Sequence, residues 1–157
     1  MGINTVTWNQ LDMTCLAAPT VPGLVRSLVE FRLVGWALDG LIGDVSLVAG
    51  ELVANAVRAA PYREIRVRFD REVRGVVLAV WDPAAGMPVA RPVIELEPDD
   101  VAPDPLALDD GHDAGIGGWG LPIVQSLASE CGVEPTPPAG KWVWARFLYV
   151  EKAAAMP

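Results

Sequence analysis

Glu51 and Asn55 stand four residues apart in the segment Glu51-Leu52-Val53-Ala54-Asn55. On a helix that spacing stacks a carboxylate and a carboxamide one turn apart on the same face. An amide oxygen is a hard ligand of the kind Mg²⁺ accepts beside waters and phosphate oxygens. A carboxylate one turn away can take a proton from an attacking hydroxyl or water. Taken alone, the pair is equally an ordinary polar helix face in water.

Two further features carry chemistry. Asp82 follows the apolar run Gly75–Trp81. At a strand end a short acid can accept a hydrogen bond from an exocyclic amine such as that of adenine, although Asp82-Pro83 also reads as a plain turn. The run Gly115-Ile116-Gly117-Gly118-Trp119-Gly120-Leu121-Pro122 places four glycines within six residues. Such a backbone can bring N–H groups close to an anion, and it feeds into the N-terminus of a helix, where free N–H groups and the dipole favour phosphate. A flexible hinge before a helix is the competing reading. The turn is not preceded by a strand, as a dinucleotide-binding crossover requires, and it lacks the Gly-Lys-Ser/Thr of a P-loop.

The elements that must hold these residues can be read from periodicity. Thr5–Leu16 reads as an opening strand. From Pro22 a helix begins, with Leu24, Leu28 and Phe31 on one face and Val25 and Val29 beside them. It closes around Gly35, and the Leu38–Gly43 segment makes the connection. Asp44 is placed to cap a second helix that runs to about Ala60 before Pro61. Val45, Val48, Leu52 and Ala56 form its apolar face, and Glu51, Asn55 and Arg58 are expected opposite. Glu64–Phe69 alternates Ile65, Val67 and Phe69 against Arg66 and Arg68, and a hairpin connection at Asp70–Gly75 leads to the apolar strand Gly75–Trp81. Residues 83–117 are proline-rich and acidic without periodicity, as a functional lid would be. A last helix is predicted over Leu121–Cys131 with Gly132 at its end, then a turn at Pro135–Gly140 and a final strand, Lys141–Val150. The order β-α-α-β-β-lid-α-β predicts an α+β, two-layer α/β sandwich with an antiparallel or mixed sheet covered by helices on one face.

The 157 residues fit a single domain spanning 1–157, and 52% hydrophobic against 20% charged residues argues for a globular chain. A net charge of −8 without a basic stripe speaks against nucleic acid as a partner. Cys15 and Cys131 lie far apart without metal-ligand spacing and read as reduced, buried thiols. Met1–Thr14 has neither the basic nor the apolar region of a signal peptide, and no uninterrupted apolar run is long enough to span a membrane. The expected location is cytoplasmic, away from membranes.

Taken together and in order, these features resemble the GHKL (histidine kinase-like) ATPase superfamily. Glu51–Asn55 resembles its N box, Asp82 its adenine-binding aspartate, and Gly118-Trp119-Gly120 its second glycine box. The likeness is nearest to the small anti-sigma factor serine/threonine kinases and related actinobacterial ATP-binding proteins. Their Glu-Leu-Val-x-Asn-Ala-Val, Pro-rich lid, Gly-Arg-Gly-Leu and Gly-Lys-x-Val-Trp correspond to Glu51–Val57, 83–117, Gly118–Leu121 and Gly140–Trp144. The resemblance implies a Bergerat fold with ATP and Mg²⁺ as cofactors. It implies Asn55 as the metal ligand and Glu51 as general base. It also implies Asp82 at the adenine amine, with Gly86, Gly117, Gly118, Trp119, Gly120 and Leu121 around the nucleotide. The chain departs from the pattern in having Ala84 where the first glycine box has glycine, reaching Gly86 only at the fourth position after Asp82, and in Trp119 where a basic or small residue is commoner.

The implied partners are a sigma factor or a STAS-domain anti-anti-sigma protein that accepts the phosphoryl group, and exposed apolar residues of the first helix or the sheet edge offer a surface for a homodimer. A catalytically inactive module of the same fold, which regulates by sequestering a protein, is the alternative. Arg58 can supply a charge near the phosphates or remain solvated. Lys141 can approach the lid or the phosphates, or act as a strand-edge charge. His112, the only histidine, reads as a solvated lid residue.

Overall fold

The computed structural model describes residues 2–85 and 120–149. The lid at 83–117 is described only at Pro83, Ala84 and Ala85, and His112 lies outside the described residues. The expected α+β arrangement is observed. Six antiparallel strands form one sheet in the order β1-β2-β3-β4-β6-β5, with β1 Gly2–Thr7, β2 Gln10–Leu16, β3 Glu64–Glu72, β4 Gly75–Asp82, β5 Glu130–Pro135 and β6 Lys141–Leu148. Helices α1 (Val21–Gly35), α2 (Ile42–Ala59) and α3 (Gly120–Leu127) form the second layer.

Alternation along the strands decides which side chains meet the helices. Leu11, Met13 and Cys15 on β2, Ile65, Val67 and Phe69 on β3, Val76, Leu78 and Val80 on β4, and Ala145 and Phe147 on β6 are buried in one core with Val25, Val29, Val48 and Leu52 of the helices. Each set is spaced by two, so one face of the sheet turns wholly inward. The apolar stretch Asp39–Ala59 has the length and composition to cross a membrane. Its Val45, Val48, Ala49, Leu52, Val53 and Ala56 are buried in this core.

Five expectations need correction. The opening strand is a hairpin: Trp8 and Asn9 turn the chain between β1 and β2, and Trp36 Nε1 at the end of α1 donates to the Trp8 carbonyl at 2.6 Å. On α1 the buried residues are Val21, Val25, Val29 and Leu33, while Phe31 is 76% exposed. The apolar arc of this helix is wide, and periodicity alone does not locate its centre. Asp44 is not the cap of α2; Leu41 occupies that place without a side-chain cap, and Asp44 sits in the first turn, where its charge suits the helix dipole. The last helix stops at Leu127 and Glu130–Pro135 is an edge strand. Gly132 serves close packing there, since a β-carbon would lie 2.8 Å from the Trp144 ring. Cys131, on this edge strand, is exposed, while Cys15 is buried.

The helix-free face is built of charge and aromatic rings. Asp12, 3% exposed, accepts two hydrogen bonds from Arg66 (Nε at 2.8 Å, Nη2 at 2.5 Å) and one from Arg68 at 3.3 Å. Both guanidinium groups lie over Trp142, 6.0 and 5.4 Å from its ring centre. The hydrogen bond from Arg66 is the main cause that holds the Asp12 carboxyl below the usual carboxylate range, against burial, which pushes it up.

Because the folded-state pKa of Asp12 lies below the unfolded one, its stabilisation is complete above the unfolded value and is lost as pH falls through the folded one. Asp12→Asn is therefore expected to destabilise the fold by roughly 1–3 kcal/mol at neutral pH. Denaturation of both proteins across pH should show the gap closing on acidification below about 4; a pH-independent gap would remove this role from Asp12.

Candidate functional site

Asp82 closes β4 in step with Val76, Leu78 and Val80, so its side chain points to the helical side of the sheet. Lys141 opens β6 in step with Val143, Ala145 and Phe147, and the two are direct cross-strand partners. A carboxylate and an ammonium thus stand at the ends of two apolar rows, both buried (3% and 5% exposed). Lys141 Nζ donates to Asp82 Oδ1 at 3.0 Å and, more weakly, to the Ala84 carbonyl at 3.4 Å. The Ala84 N–H donates to the same Oδ1 at 2.9 Å. Stripping two charges of water is costly, and added hydrogen bonds such as these are what make a buried pair tolerable.

This corrects the reading of Lys141 as a strand-edge charge. With β5 beyond it, β6 is an interior strand, and Lys141 belongs with Asp82. The signal was in the sequence, since Lys141 shares the two-residue period of Val143, Ala145 and Phe147.

The turn that delivers Lys141 is tightly made. The Thr136 N–H donates to the Gly140 carbonyl at 2.9 Å, and Thr136 Oγ1 accepts from Trp81 Nε1 at 2.9 Å and donates to the Ala139 carbonyl at 2.8 Å. Gly140 has φ +91°, and a β-carbon there would lie 2.6 Å from the Trp81 ring and 2.8 Å from the Asp82 carbonyl oxygen. Only glycine combines that backbone with that approach.

Glu51 and Asn55 lie on α2, which packs on β4, β6 and α3. Both are half-buried at the shoulder of the helix's buried arc, beside it and not opposite as the periodicity predicts. The exposed Arg58, one turn further, donates from Nη2 to Asn55 Oδ1. The oxygen assigned to a metal therefore carries a guanidinium contact, which sequence reasoning did not anticipate. Gly120 and Leu121 open α3. Gly86, Gly117, Gly118 and Trp119 lie outside the described residues.

The residues present fit a nucleotide in two respects. A buried carboxylate with a neighbouring cation suits the polar edge of a base. An amide oxygen with a carboxylate one turn away suits Mg²⁺, which takes its remaining ligands from phosphate and water, provided Arg58 yields Asn55 Oδ1. A separate groove of about 340 Å³ lies on the helix-free face, where Arg68, Asp70, Trp142, Trp144 and Arg146 line it. Its lining includes none of Glu51, Asn55, Asp82 and Lys141.

Residues 19–147 match the family model described as histidine kinase-like ATPase domain. The matched stretch takes in Glu51, Asn55, Asp82, the glycine-rich turn and Lys141, and leaves out the β1–β2 hairpin. No curated protein matches the chain.

The Gly140 geometry sets an expected cost. Gly140→Ala should destabilise the protein by roughly 2–4 kcal/mol, combining backbone strain with the clash against Trp81. Urea denaturation measures this directly, and a change below about 0.5 kcal/mol, the usual range for an unconstrained surface site, would contradict it.

Proposed function

The chain belongs to the histidine kinase-like ATPase domain family, and on that premise we propose that it binds ATP with Mg²⁺ and acts as a regulatory serine/threonine protein kinase of the anti-sigma factor type. Its substrate in this reading is a hydroxyl of a STAS-domain anti-anti-sigma protein, and the sigma factor is the partner released or retained. The observation that carries nucleotide binding is the placement of Asp82: a buried carboxylate at the end of β4 on the helical side of the sheet, with α2 packed on the same strand.

The roles follow from the chemistry of each group. Asp82 accepts from the exocyclic amine of adenine. Asn55 supplies an amide oxygen to the metal, which when bound neutralises phosphate charge. Glu51 receives the proton of the acceptor hydroxyl as its oxygen bonds to the terminal phosphorus and the bond to the leaving diphosphate breaks. The N-terminus of α3 offers its free N–H groups to the phosphates. Arg58 favours a second reading. Its guanidinium on Asn55 Oδ1 competes with a metal for the same lone pairs, which suits a module that sequesters a partner without transferring phosphate.

Calorimetry should show micromolar, Mg²⁺-dependent ATP binding; no heat and no thermal stabilisation would sink the nucleotide claim. Glu51→Gln is expected to keep ATP binding and to lower phosphotransfer to a STAS protein by on the order of 100-fold or more. Unchanged transfer by the variant would remove Glu51 from the base role. Mg-ATP binding by the native protein without any transfer would favour the sequestering module.

A further inference from the structure

The Lys141–Asp82 pair has more hydrogen-bonding capacity than its own contacts use. An ammonium has three N–H donors, and among the described residues Lys141 directs them at two acceptors, Asp82 Oδ1 and the distant Ala84 carbonyl. Asp82 has two carboxylate oxygens, and the hydrogen bonds it accepts from described residues both arrive at Oδ1. Among the described residues, then, a donor of Lys141 and Oδ2 of Asp82 have no partner, on two buried groups that cross-strand pairing holds in register.

We propose that Lys141 is a specificity-determining residue of the nucleotide site: it donates a hydrogen bond to the ring nitrogen next to the exocyclic amine, while Asp82 Oδ2 accepts from that amine. This rests on the ATP-binding reading above and adds to it a contact that reads the base. The edge of a 6-aminopurine presents a donor, the amine, beside an acceptor, the adjacent ring nitrogen. The protein presents the complement, an acceptor beside a donor. A 6-oxopurine in the same seat would set its carbonyl oxygen against the carboxylate and its ring N–H against the ammonium, so both contacts would repel.

A merely structural lysine would hold the Asp82 carboxylate in place and touch no base. The alternatives separate on 1-deaza-ATP, which keeps the amine and replaces that ring nitrogen with C–H. The native protein is expected to bind 1-deaza-ATP about 10-fold or more weakly than ATP, since a hydrogen bond to a charged donor is lost. Inosine triphosphate should bind more weakly still. In Lys141→Met, ATP binding should fall by a similar factor and the difference between ATP and 1-deaza-ATP should vanish; circular dichroism and melting report whether the variant folds. Equal binding of ATP and 1-deaza-ATP by the native protein overturns the proposal and leaves the nucleotide reading intact, whether or not the variant folds. Inosine triphosphate binding as tightly as ATP also overturns it. Binding of none of the three nucleotides overturns the ATP reading itself, and the inference falls with it.

Discussion

The two-residue period of an antiparallel sheet is the constraint on which the arrangement of this protein depends. Four strands, β2, β3, β4 and β6, carry side chains that alternate between two very different surroundings. One is an apolar core under three helices; the other is a face of arginines, tryptophans and carboxylates. A shift of one residue in any strand would exchange the two sets, so register is strongly enforced. The same rule places Asp82 and Lys141. Each occupies the inward parity of its strand, at the point where the apolar row ends.

Both faces therefore contain a buried carboxylate, and each solves the desolvation problem differently. Asp12 gathers two guanidinium groups that are themselves more than a third exposed and rest on Trp142. Its charge is offset near solvent, at little cost to the arginines. Among the described residues Asp82 has a single cation, as deeply buried as itself, and backbone groups of Ala84 add to the contacts. Breaking a pair of the second kind by deleting one partner is the more damaging event, because the charge left behind has no water. A group kept at such a cost on the helical side of the sheet calls for a reason beyond stability, and contact with a polar ligand is one.

Much of this architecture is legible in the sequence where the period is clean. The alternation of Ile65, Val67 and Phe69 against Arg66 and Arg68 gives β3 and its two faces directly, and Val45, Val48, Leu52 and Ala56 give the buried side of α2. What escapes is decided by pairing between distant segments. No proline or glycine separates α3 from Glu130–Pro135, and only its ladder with β6 makes that segment a strand. Gly132 there answers to the Trp144 ring, a contact that no local pattern announces. The opening residues look like one strand because the Trp8-Asn9 turn lacks the glycine that commonly marks a two-residue hairpin. Of the site, Glu51, Asn55 and Asp82 are visible from type and spacing, whereas the partner of each is not: Arg58 on Asn55 and Lys141 on Asp82 require the folded backbone.

That backbone also accounts for Ala84, the second residue after Asp82, where the resemblance leads to the expectation of glycine. Among the described residues the non-glycine positions with positive φ are Ala37 and Tyr62, so Ala84 adopts a conformation open to any L-residue. Its contribution is made by main-chain atoms, an N–H to Asp82 Oδ1 and a carbonyl to Lys141, which a methyl group does not disturb. The position requires a free amide and not conformational freedom, and Pro83 before it narrows the range of backbone that must be ordered to supply one. Just before β6, Gly140, with its positive φ under the Trp81 ring, is where a side chain cannot be accommodated. The two segments that meet at this end of the β4–β6 ladder thus divide the work, an alanine amide holding the carboxylate and a glycine turn presenting the lysine.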